Sequence, residues 1–345
     1  MRALVFHGPL DMTVEDRPEP AAGPGDVLLE IVATGICGSD LHGYTGETGR
    51  RHAGQVMGHE TVARVLDDRT GAHPAGELVT VNPVLGCGHC AACAAGAPQR
   101  CPDRRVIGVQ ADISAAFAER MVAPAHNVVA LPDGTPPEIG SLVEPLAVGY
   151  HAVQRGGLAP DDILYVIGGG PIGQAVAIAA RRLGTTGVVV AELDASRREL
   201  LARLGFTTVD PGAQPADAIV RILGAPPTVV VDAVGATATL RDALDIAANG
   251  ARIVLVGMAA PRVELAAYAI STGERSLLGS FSYDEAGFRD TAAWAGAHAA
   301  ELAPLIEARI GLDEAPGMFR ALAGGELPAG KVLVYPSTAS PTLSA

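Results

Sequence analysis

The chain is poor in cysteine, lysine and aromatic residues. Of its 345 residues, five are cysteine, one is lysine (Lys331) and 4% are aromatic. It has no run of 18 or more apolar residues, so no membrane-spanning helix is expected. It also lacks the basic, then apolar, then small-residue opening of a secretory leader, because MRALVFHGPL runs straight into a strand-like segment. No basic stripe offsets the net charge of −13, which argues against a nucleic-acid partner. Arginine carries nearly all the positive charge, and the near absence of lysine reads as compositional bias. With so few cysteines and no leader, the expected compartment is the reducing cytoplasm, where structural disulfides are rare.

What is present points to two domains. The hydrophobic fraction of 48% is ample for two cores, and 42 glycines and 25 prolines supply many turns. Up to about residue 150 the pattern is β-like. The runs at 26–37, 60–68 and 77–84 alternate loosely between apolar and polar residues and are separated by turn signals such as AAGPGD. They suggest an irregular β-barrel or sandwich. From ILYVI (163–167) onward, short apolar strands alternate with helical stretches up to RSLLGSF (275–281), which predicts a doubly wound parallel sheet. Pro171 opens the first of these helices and Gly184 stops it. The last segment, STASPTLSA (337–345), reads as a frayed tail.

Four of the five cysteines lie within fifteen residues, as Cys87-x2-Cys90-x2-Cys93-x7-Cys101. This spacing suits one tetrahedral zinc held by four thiolates, with Gly86, Gly88 and Gly96 allowing the loop to turn tightly. Two disulfides or an iron–sulfur cluster are the competing readings. Four protein ligands would close the shell, so this lobe is structural. The fifth cysteine, Cys37, sits in GICGSDLH, while His59 and Glu60 sit in GHE and Glu144 in VEPLAVG. Three ligands of these types with one exchangeable water make a catalytic zinc site. Taken singly, each is an ordinary buried or surface residue.

VIGGGPIG places Gly168-x-Gly170-x-x-Gly173 between a strand and a helix, with Pro171 and Ile172 at the helix start. Such a turn lets a pyrophosphate approach backbone N–H groups at the positive end of the helix. Glu192 ends the next strand, where an acid grips the ribose hydroxyls and opposes a 2′-phosphate. NAD is therefore favoured over NADP, although Arg197 lies five residues on and could accept that phosphate. Gly257, closing the run at 251–257, joins the cofactor candidates.

Together, GICGSDLH, GHE, CGHCAAC…C, VEPLAVG and VIGGGPIG, in that order over about residues 1–336, resemble the zinc-containing medium-chain alcohol/polyol dehydrogenases. The resemblance implies a GroES-like catalytic domain (1–148 and 284–345) and an inserted Rossmann NAD-binding domain (149–283). It implies two zincs per chain, a homo-oligomer (tetramer or dimer) and a small-molecule alcohol or ketone as substrate. Cys37, His59 and Glu144 correspond to catalytic zinc ligands, with Glu60 beside the metal. Glu144 in place of a cysteine is similar to the sorbitol and threonine dehydrogenase branch. Ser39 matches the hydroxyl that bonds the reacting alcohol, His42 the outer histidine of the proton relay, and Asp40 the carboxylate that orients the ligand imidazole. Otherwise Ser39 is a turn residue and Asp40 a helix N-cap. Ser282 stands where sorbitol dehydrogenases carry an arginine, which disfavours sorbitol. The expected reaction is NAD-linked oxidation of a small polar secondary alcohol. The alternative is an inactive NAD(H)-binding regulator of the same fold.

Overall fold

The computed structural model describes residues 1–214, 216–326 and 328–337. Two compact units emerge: residues 1–144 with 284 onward, and residues 145–283. The first crossing falls between Glu144 and Pro145, four residues before the sequence-based boundary. All of the expected tail except Ser337 lies outside the described residues.

The second unit is built on a six-stranded, all-parallel sheet. Its spatial order is Thr207–Val209, Gly187–Ala191, Ile163–Ile167, Val229–Asp232, Arg252–Leu255 and Ser276–Gly279. Taken by sequence, this is the 3-2-1-4-5-6 order of a Rossmann fold. The registers are regular, with Ile163 opposite Gly187, Leu164 opposite Val229 and Val229 opposite Arg252. The central strands are apolar on both faces because helices cover both sides. Tyr165, Ile167, Val189, Val230 and Ile253 pack in one core with Leu240 and Leu244 of the helix Thr237–Ile246. The helix Pro171–Arg182 ends as expected. Gly184 takes a left-handed φ of 87° and its N–H bonds back to the Arg181 carbonyl.

The first unit holds a seven-stranded mixed sheet centred on the ten-residue strand Asp26–Gly35. That strand pairs antiparallel with Glu60–Asp68, with Arg120–Pro124 and with the late strand Lys331–Tyr335. Gly35 lies opposite Glu60 on one side and Leu333 on the other. The pairing thus joins residues about 270 positions apart beside the end of one strand. Short helices interrupt the β pattern that the sequence suggested for this region, notably Gly38–Tyr44 and Ala91–Ala94. The helix Val143–Arg155 begins in this unit, just before the crossing. One core cluster gathers Tyr44, Phe117 and Phe319, with ring centroids 5.4 and 5.7 Å from Phe319.

Candidate active site and metal centres

The cysteine lobe is a loop folded on itself. One sulfur from each of Cys87, Cys90, Cys93 and Cys101 lies within 4.8 Å of the others, and none is in a disulfide. Backbone N–H groups point at the sulfurs: Cys93 donates to Cys90 Sγ at 3.5 Å and Cys87 donates to Cys101 Sγ at 3.4 Å. The His89 N–H and the neighbouring thiols lower Cys87 to about 6. At Cys93 the Gly88 N–H pulls down, yet loss of solvent and the adjacent thiols push it up to about 11. Four convergent sulfurs, one of them readily ionised, fit a thiolate-bound metal. Gly88 and Gly96 take left-handed φ values of 80° and 67°. Gly86 does not; it is needed for space, because an added Cβ would lie 2.5 Å from Cys93 Sγ.

The second cluster is assembled from separate elements. Cys37 caps the helix Gly38–Tyr44, His59 precedes the strand Glu60–Asp68, and Glu60 opens that strand. One donor atom from each lies within 4.8 Å of the others. Glu60 is fully buried and His59 nearly so. Buried polar atoms without a hydrogen-bond partner concentrate here: Asp40 Oδ1, His59 Nδ1 and Glu60 Oε2. A sulfur, an imidazole and a carboxylate, with the unpartnered Glu60 Oε2 among them, fit a divalent ion of zinc's preferences. Glu144, in the first turn of the helix Val143–Arg155, is buried but stands outside the set within 4.8 Å.

Asp40 is not the N-cap that its position before LHGY suggested. Cys37 is the cap, and Asp40 is the third helical residue, whose Oδ2 accepts the Cys37 N–H at 3.1 Å. Its other oxygen lies 3.6 Å from His59 Nδ1. Burial works against the charge of each group. Nonetheless His59 and Arg51 hold the Asp40 carboxylate below its ordinary value, while Asp40 and Cys37 hold the His59 imidazole well above its own.

Ser39 and His42 lie three residues apart on one helix, hence on neighbouring positions of its surface. Ser39 is exposed, and its carbonyl accepts from Arg51 at 3.3 Å. His42 Nδ1 is 2.6 Å from Glu47 Oε2. Glu47 and Arg51 were not legible as site residues, because each acts through a loop whose course the sequence does not specify. Nothing local in the sequence marks Lys331 as part of this site. The lysine is 4% exposed, donates to Glu60 Oε1 at 2.6 Å and to the Ile36 carbonyl at 3.2 Å. Burial opposes its charge, but Glu60, Cys37 and Glu144 raise its pKa.

In the Rossmann unit, Gly168 has a φ of 94° and Gly170 caps the helix. An added Cβ on Gly173 would overlap the Gly168 carbonyl, so this glycine permits the close turn. Pro171 and Ile172 open the helix. Gln174, which the sequence reading passed over, donates to the Gly169 carbonyl at 2.8 Å and steadies the turn. Glu192 accepts the Gly169 N–H at 2.7 Å and the Asp194 N–H at 2.9 Å. Arg197 Nη1 lies 3.8 Å from the Glu192 carboxylate. Gly257 packs against the Val234 backbone, where a Cβ would not fit. Ser282 adopts a φ of 49°, unusual for a residue with a side chain.

Residues 23–133 match the alcohol dehydrogenase GroES-like domain family, and residues 171–297 match the zinc-binding dehydrogenase family. An L-threonine 3-dehydrogenase of Sinorhizobium medicae is 30% identical over 345 residues, covering 97% of this chain and 98% of its own length. An L-galactonate-5-dehydrogenase of Escherichia coli K12 is 31% identical over 285 residues, covering 81% of this chain and 83% of its own. A solved zinc-binding dehydrogenase of Sinorhizobium meliloti 1021, bound to NADP, superposes with a TM-score of 0.88 at 30% identity, covering 97% and 99% of the two chains. With a GroES-like unit, a Rossmann unit and relatives of these kinds along nearly its whole length, the chain belongs to the zinc-binding medium-chain alcohol dehydrogenase family.

Proposed function

We propose that this enzyme oxidises a small polar secondary alcohol, one carrying a neighbouring hydroxyl or amine, to a ketone with NAD. The observation that carries the reading is the convergence of Cys37, His59 and Glu60 within 4.8 Å, with Glu60 Oε2 buried and without a hydrogen-bond partner. Cys37, His59 and Glu144 would hold a catalytic zinc with Glu60 alongside, and the four-cysteine lobe would hold a second, structural one. Bound there, zinc supplies Lewis acidity to an alcohol oxygen and the nicotinamide accepts the hydride. The net change is alcohol plus NAD⁺ to ketone, NADH and a proton.

The chain's own residues handle that proton. The Ser39 hydroxyl accepts a hydrogen bond from the alcohol and passes the proton outward, with His42 as the outer acceptor. Glu47, bonded to His42 Nδ1, favours the proton on that nitrogen and leaves Nε2 as the accepting atom. Glu192 binds the adenosine ribose hydroxyls. An adjacent hydroxyl or amine on the substrate could pair with Glu60 or Ser39, where an unpaired buried group costs about 1–3 kcal/mol. The threonine and galactonate dehydrogenase relatives act on alcohols of this polar kind, and the low aromatic content argues against a large apolar pocket. Nothing in the site favours an inactive regulator.

The test pairs metal analysis with a panel of linear polyols, cyclitols, threonine, 2,3-butanediol and simple primary alcohols, each assayed with NAD and NADP. Two zincs per chain and highest kcat/KM for a polyhydroxy or amino alcohol with NAD are expected. Ethanol or benzyl alcohol outrunning them all would overturn the substrate assignment.

A further inference from the structure

The single lysine is the least explained residue of the site. The other 24 Lys/Arg positions are arginine. A buried ammonium must be paired, since its desolvation costs several kcal/mol. Lys331 meets that need in one way only among the described residues: it donates to Glu60 Oε1 and to the carbonyl of Ile36, the residue before Cys37. One compact cation therefore ties the carboxylate of one candidate ligand to the backbone carrying another. The second Glu60 oxygen lies where a Cβ on Gly35 would be and has no hydrogen-bond partner. Glu60 is thus held by one oxygen, with the other unclaimed.

Without Lys331, the Glu60 carboxylate would lose its hydrogen-bond donor on Oε1 as well as having none on Oε2, and would be released toward the neighbouring Cys37 and His59.

We propose that Lys331 is a positioning residue: it holds Glu60 beside Cys37 and His59 but restrains it from occupying the metal fully. This rests on the metal reading above. An arginine would keep the charge but replaces the compact ammonium with a larger planar fork, so the placement of Glu60 is expected to shift.

The experiment compares cobalt-substituted parent, Lys331→Met and Lys331→Arg proteins. First, cobalt stoichiometry in the parent checks the metal reading separately: no cobalt beyond the cysteine lobe would defeat that reading. Given a loaded parent site, Lys331→Met is expected to weaken the cobalt d–d absorption as coordination rises and to lower kcat about 10–100-fold, with little change in KM for NAD. Adding Glu60→Gln to Lys331→Met should return the spectrum toward that of Glu60→Gln alone, because the released carboxylate is then gone. A folded, loaded Lys331→Met with the parent's spectrum and kcat would overturn the proposal. Should Lys331→Met not fold, Lys331→Arg is decisive: a shifted spectrum with reduced kcat supports it, and an unchanged pair of readouts overturns it.

Discussion

At the scale of single residues, Glu192 is the side chain proposed to set the choice of cofactor. Both carboxylate oxygens already accept one backbone N–H, from Gly169 and Asp194, so the side chain is fixed at the glycine turn while keeping free lone pairs. Arg197 lies beside it, near Gly170, and the Glu192 carboxylate offsets part of that positive charge. Glu192→Ala is therefore expected to lower kcat/KM for NAD about tenfold or more, from loss of a charged hydrogen bond, and to leave NADP little affected or improved. Steady-state kinetics with both cofactors check this. Parent protein turning over NADP as well as NAD would make Arg197 the phosphate partner. The motif Gly168-x-Gly170-x-x-Gly173 and the acid after the next strand were readable because they depend on local spacing. Gln174 was not, because nothing in its identity distinguishes a side chain that bonds the turn from one that faces a neighbour.

At the scale of elements, the late strands fasten the segment that leads to Glu144. Arg309, on the strand Ile306–Gly311, makes a bidentate contact with Glu138 at 2.7 and 2.6 Å, and Tyr335 donates to the same carboxylate. Glu138 lies in the turn Pro137–Leu142, immediately before the helix carrying Glu144. The Arg309 hydrogen bond is the main cause holding the Glu138 carboxylate below its ordinary 4.5. A group whose folded pKa is depressed contributes stability above its unfolded value and loses it as pH falls through the folded one. Glu138→Gln should cost about 1 kcal/mol at neutral pH, discounted because the pair is partly exposed. Its Tm deficit should close as pH drops below 4.5. A deficit that persists or grows in acid would mean that packing, not the ion pair, sets the effect. Thermal melts of both proteins across pH 3–8 measure it.

At the scale of the whole molecule, the Rossmann sheet ends in an unfinished edge. Ser276–Gly279 pairs only with Arg252–Leu255, leaving its outer backbone groups without a strand among the described residues. Exposed apolar side chains gather in the same stretch of chain, with Tyr268 86% and Met258 66% exposed, together with Leu265, Leu277 and Phe281. An apolar edge strand invites a second copy. We expect a homodimer or a larger assembly built on this edge, and Leu277→Asp should shift sedimentation toward monomer without changing metal content. Sedimentation unchanged by that variant would place the interface elsewhere.

Relations between near neighbours are legible along the chain: the β/α rhythm of residues 163–279, the four-cysteine lobe, the glycine turn and the candidate ligand types in GICGSDLH and GHE. Spacing and periodicity are local properties, so they survive reading along the chain. The tertiary structure alone decided how the buried charges are balanced. Lys331 meets Glu60 across 271 positions only because Lys331–Tyr335 pairs with Asp26–Gly35, which also pairs with Glu60–Asp68. Gly35 makes room for the Glu60 carboxylate through the same pairing, whereas Arg51 reaches Asp40 from the loop that follows the helix Gly38–Tyr44. An ion pair buried by strand pairing leaves no mark in local sequence, because its partners are brought together by sheet register and not by spacing.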